Sequence, residues 1–69
     1  MADAYLISID LDRLAANFTK ADDRSWSPVE ARSWLIEYDF ISTEDGWACE
    51  DCQLDLLSKG EYRIIRQTA

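Results

Sequence analysis

The chain has 69 residues, 48% of them hydrophobic, with only two glycines and one proline, which suits one small packed domain and argues against disorder or a loop-rich scaffold. Fourteen acids against seven bases give a formal charge of −7 and a pI near 4.2. That balance disfavours nucleic acid and anionic membrane surfaces, where Lys and Arg supply the binding.

So short a domain buries only roughly 60% of the surface its unfolded chain exposes, and a ligand pocket of several hundred Å³ would consume much of its core. An enzyme is the least supported class. The charge is also concentrated. Glu37, Asp39, Glu44, Asp45, Glu50, Asp51 and Asp55 fall in one stretch without a base, while the seven acids elsewhere balance the seven bases. No apolar run has the length of a membrane span, and the acidic start Met1-Ala2-Asp3-Ala4 lacks the positive region of a signal peptide. The expectation is a soluble cytoplasmic protein with reduced thiols.

The β-branched, aromatic run Tyr5-Leu6-Ile7-Ser8-Ile9 predicts a strand over 4–9, with Tyr5, Ile7 and Ile9 on one face. Asp10 is a helix cap, and Leu11, Leu14, Ala15 and Phe18 form one stripe of a helix over 11–20. A polar connection leads to Ser27-Pro28-Val29-Glu30, a capping box with proline at the first helical position. Ala31, Trp34, Leu35 and Tyr38 then define the buried stripe of the second helix, and Val29 and Ile36 a second apolar ridge expected to pack against a further neighbour.

Phe40–Thr43 and Trp47-Ala48 flank Glu44-Asp45-Gly46, a hairpin signal in which Asp-Gly takes positive φ, with an irregular turn as the alternative because the arms are short. A third helix is predicted from Glu50 or Asp51 to Lys59, stopped by Gly60. Glu61–Arg66 reads as a last strand with Tyr62, Ile64 and Arg66 on one face; its arginines suit a sheet edge, and 67–69 form a frayed end. The order is β-α-α-β-β-α-β, a single α+β domain over 1–69 with about three helices on one face of a small, mainly antiparallel sheet.

Cys49-Glu50-Asp51-Cys52 is the one chemical motif. A C-x-x-C at a helix start can lower a thiol pKa, but the acids around it push the other way and the βαβ setting that gives the motif meaning is missing. Helical spacing places Cys49 and Cys52 with Leu56 on one stripe, so packing in the core is favoured over redox work. With no histidine, a zinc site would need two subunits or carboxylates, and no metal or other cofactor is expected. The Glu44-Asp45-Gly46 stretch does not fit a calcium loop, because Ile41 would hold the first ligand position.

The reading that follows is a non-catalytic interaction or regulatory module. It presents Glu44, Asp45, Glu50 and Asp51, with Trp47 and Trp26 as aromatic anchors, to a protein with a basic surface. A monomer is favoured, with neither nucleic acid nor membrane as partner. The alternative is a thiol protein, redox or metal-linked, using Cys49 and Cys52. A third is a winged-helix-like nucleic-acid binder with Lys20, Arg24, Lys59, Arg63 and Arg66 as its basic face. Glu50, Asp51 and Asp55 on its third helix would repel phosphate.

Overall fold

The computed structural model describes residues 4–67. In chain order the elements are β1 (Ala4–Ile9), α1 (Leu11–Asp22), α2 (Pro28–Glu37), β2 (Ile41–Ser42), β3 (Trp47–Glu50), α3 (Asp51–Leu54) and β4 (Tyr62–Gln67). The four strands form one antiparallel sheet in the order β2-β3-β1-β4. The first and last strands pair, with β1 inside the sheet and the arginine-bearing β4 at its edge.

Alternation along β1 sets the layers. Ile7 faces the helices with Tyr5 and Ile9, and its partners across the register carry Trp47 and Cys49 to the same face. Leu14 and Ala15 of α1, Ala31 and Leu35 of α2, Phe40, Leu54 and Leu57 close over them as one core. Leu6 points the other way. It is buried too, at 5% exposure, yet lies outside that core cluster.

Local chemistry fixes the helix starts. The Asp10 carboxylate accepts from the Arg13 N–H at 3.1 Å. The Ser27–Glu30 capping box closes in both directions, at 3.2 and 3.0 Å, and Arg24 adds an ion pair to Glu30 at 3.0 Å. At its far end α1 extends beyond the predicted 11–20 to Asp22, where left-handed Asp23 (φ 59°) returns its N–H to the Thr19 carbonyl.

Other expectations are corrected. Val29 and Ile36 are exposed, because α2 packs on α1 and the sheet through its opposite side and no element among the described residues lies over the second ridge. The hairpin turn is not the Asp-Gly type, since Asp45 keeps negative φ. Thr43 instead organises residues 43–46, its Oγ1 accepting from the Asp45 and Gly46 N–H groups. The third helix lasts four residues, after which Leu56 and Leu57 bond three residues back in tight turns that put Leu54 and Leu57 into the core. At four residues the third helix is too short to be the recognition helix that the winged-helix-like reading placed there.

A bulge in β4 opposite Leu6 and Ile7 pairs Arg66 with Leu6 and moves it to the face of Arg63, away from Tyr62 and Ile64. Gln67 belongs to β4 rather than to a frayed end; residues 68 and 69 lie outside the described residues.

Candidate functional site

All seven acids of the 37–55 stretch are exposed. The fold divides them into groups. Glu37 and Asp39 end α2, and Glu50 and Asp51 join β3 to α3. Gln53 ties these two junctions together: its Oε1 accepts the Glu50 N–H at 2.6 Å and its Nε2 donates to the Tyr38 carbonyl at 2.8 Å. Glu44 and Asp45 occupy the turn at the other end of β3, roughly 13 Å away at about 3.4 Å per residue. Asp55 follows α3.

The junction group sits where electrostatics disfavours it. Glu37 and Asp39 flank the C-terminus of α2, which has no base in its last turn. The negative end of a helix dipole opposes anions by typically about 0.3–1 kcal/mol each. Asp39 also holds left-handed φ of 69°, a conformation that favours glycine. Arg24–Glu30 is the only ion pair among the described residues, so none of the seven carboxylates is neutralised by a salt bridge.

The sequence-nominated aromatic anchors do not serve this surface. Trp47 is 7% exposed, because its position in β3 alternates toward the core opposite Ile7, and Arg32 lies 5.8 Å from its ring centroid. Trp26 is half-buried and tied down: its indole N–H donates to Asp22 at 2.9 Å, Phe18 packs at 4.7 Å and Arg24 at 4.3 Å. It precedes α2, at the opposite end of that helix from the acidic junction.

Tyr38, read from its spacing as core, is the exposed aromatic that two of the acids flank. It is 47% exposed, supported from below by Trp34 at 4.7 Å, and lies between Glu37 and Asp39 in the chain. It stands just past the last turn of α2, where helical spacing no longer sets direction. That end signal was visible only as the acidic pair on either side.

The thiols are separated by structure. Cys49 lies in β3 with its side chain in the core, and Cys52 lies exposed in α3. Core packing therefore holds for Cys49, though from a strand rather than a helical stripe, and not for Cys52, which points to solvent. Burial, followed by the neighbouring Cys52, pushes the Cys49 thiol above its ordinary 9.0. A reactive pair needs the opposite shift.

One polar feature had no sequence signal beyond an acid among strand residues. Glu61 is 3% exposed, and its carboxylate accepts from the Asn17 side-chain amide and, at 2.5 Å, from the Ser58 N–H. It pins the loop before β4 to α1. Beside it opens a shallow cleft of about 330 Å³ bordered by Arg13, Arg63, Asp10 and Tyr62, two bases against two acids when Glu61 is counted.

Among the described residues no three His, Cys, Asp or Glu side chains are grouped to hold a metal ion, and no helix is long and apolar enough to cross a membrane. No protein-family model, curated protein or solved structure matches the chain.

Proposed function

We propose that this chain is a non-catalytic protein-interaction module that offers its 37–55 carboxylates to a basic protein surface. The observation that carries the reading is the setting of Tyr38, half-exposed between Glu37 and Asp39 at the wrong end of a helix dipole. Charge placed where it opposes stability, with no base to neutralise it, is accounted for by use outside the fold. Glu50 and Asp51 extend this surface through Gln53, and Glu44 and Asp45 form a second lobe at the hairpin turn. The carboxylates steer the encounter, and the Tyr38 ring supplies an apolar anchor with a polar tip.

The test compares capture of partners from host lysate by the natural protein and two variants, at low and high salt. One variant combines Glu37→Gln, Asp39→Asn, Glu50→Gln and Asp51→Asn; the other combines Glu44→Gln and Asp45→Asn. Salt-sensitive capture should fall most in the first, and Tyr38→Ala alone should lower it further. Undiminished capture by a protein carrying both sets of changes would remove the reading.

A further inference from the structure

The sheet face turned away from the helices has no element over it among the described residues, and its pattern is self-complementary. One register row crosses all four strands as Ile41, Ala48, Leu6 and Arg66. Ser8 pairs with Arg63 in the next row, and Ala4 with Glu50 on the other side. Ile65, exposed beside the bulge, reaches across β1 to 3.2 Å from where a Gly46 side chain would begin. The centre of the face is built from Ala4, Ala48 and Ser8 around the buried Leu6, with Ile65 reaching over it, while Ile41 at its margin is 63% exposed. Its β4 margin carries Arg63 and Arg66; its opposite corner is the hairpin turn with Glu44 and Asp45.

We propose that this face pairs with the same face of a second copy, about a two-fold axis running between β1 and β3 and parallel to them. A rotation about that axis keeps each row in place and reverses the strand order. β1 then lies over β3 of the second copy and β4 over β2. Leu6 is already covered, so the apolar contact in this row is made by half-buried Ala48 and by exposed Ile65, which reaches across β1, and it repeats by symmetry. The Arg66 stem lies on Ile41, and Arg63 reaches Glu44 and Asp45 of the second copy. A two-fold axis across the strands would instead set like margins on each other, arginines on arginines, so charge selects the strand-parallel arrangement.

The face spans four strands about 4.8 Å apart, so the contact falls below the roughly 1,200 Å² of total burial typical of stable complexes. The dimer is weak, and the net charge of each copy opposes it at long range. At about 0.15 M salt the Debye length is near 8 Å, which screens that repulsion while leaving direct contacts.

Sedimentation equilibrium of the full chain at that salt tests the idea. Self-association is expected with a dissociation constant of about 0.01–1 mM, the weak range of small interfaces. Arg63→Glu with Arg66→Glu should abolish it, as should Glu44→Lys with Asp45→Lys, each weakening association at least about tenfold through like-charge contacts. All four positions are exposed, so both variants should fold, which circular dichroism checks. Mixing the two variants should restore a dimer of one of each, because the reversed margins then match. A protein monomeric to about 1 mM, a dimer indifferent to either charge reversal, or no rescue on mixing would each overturn the proposal. Glu44 and Asp45 belong to both surfaces, but Glu37, Tyr38, Asp39 and Asp51 take no part here, so salt-sensitive partner capture kept without self-association, or self-association without capture, separates the two readings.

Discussion

The Phe40 N–H reaches back across left-handed Asp39 to the Leu35 carbonyl at 3.0 Å, and both side chains are buried in the same core. With Asp39 N–H on the Ile36 carbonyl at 3.1 Å, this is a Schellman ending in which the hydrophobic contact locks the turn. The residue at its left-handed position is an aspartate where glycine is usual.

Asp39→Gly should therefore stabilise the protein by about 1 kcal/mol, through relief of the left-handed strain and removal of an anion from the negative helix end. A higher urea midpoint at unchanged slope is the expected result, and an equal or lower midpoint would contradict it. The same substitution should weaken salt-sensitive partner capture, since it removes part of the proposed docking surface.

Gly46 is fixed by a close approach. A Cβ there would press into the Ile7 carbonyl oxygen in the centre of the sheet, at φ of 153°. At Gly60, φ 93°, the nearest atom is the far end of the Arg13 side chain, which can move. Gly46→Ala should cost about 3 kcal/mol or more and Gly60→Ala about 1–2 kcal/mol. Denaturant midpoints of the two variants check the ranking; equal losses would show that β1 yields at Ile7.

These examples mark what was legible in the sequence. The Ser27-Pro28-Val29-Glu30 box, the β1 alternation and the strand-helix order depend on neighbours in the chain, and they fold as read. The third helix did not, because Leu54 and Leu57 reach the core only through tight turns and Glu61 takes the Ser58 N–H. Burial of Trp47 and the flip of Arg66 at the β4 bulge follow from long-range pairing, and exposure of Tyr38 from its place just past the last turn of α2. A charge count found the acidic stretch but not its division, which rests on which end of the hairpin each carboxylate occupies.

Glu61 should be the most sensitive polar residue. Glu61→Ala leaves the Ser58 N–H and the Asn17 amide without their acceptor in a buried place, at about 1–3 kcal/mol for each such group. Glu61→Gln keeps one carbonyl oxygen but presents an amide to the other donor, so its loss should be smaller, about 1 kcal/mol. Thermal unfolding of both variants measures the order, and a larger loss for Gln than for Ala would refute the assignment.

Glu30 makes stability depend on acid. Its carboxyl is held below the ordinary 4.5, first by the Ser27 N–H and then by Arg24. A depressed folded value means that the contribution is complete above about pH 4.5 and lost as pH falls through the folded value. Glu30→Gln preserves an acceptor for Ser27 but not the charge. The variant should be less stable than the natural protein at pH 7, and the two should converge as the pH falls through the folded value. A constant difference across that range would assign the effect to geometry rather than charge.

Cys49 and Cys52 should react as two unrelated thiols. Near neutral pH, alkylation of the folded protein should stop at one equivalent, on exposed Cys52, and Cys52→Ser should abolish it. Cys49 should react only as the chain unfolds, so its rate should rise with urea. Its thiol is raised above 9.0 by burial and then by Cys52, so the folded state holds that proton more tightly than the unfolded chain does. Stability from this group is full below about pH 9 and declines as pH climbs toward the folded value. Cys49→Ala should flatten that alkaline decline while lowering stability at neutral pH through the cavity it leaves. Equal native reactivity of both thiols at pH 7 would return the pair to the redox reading.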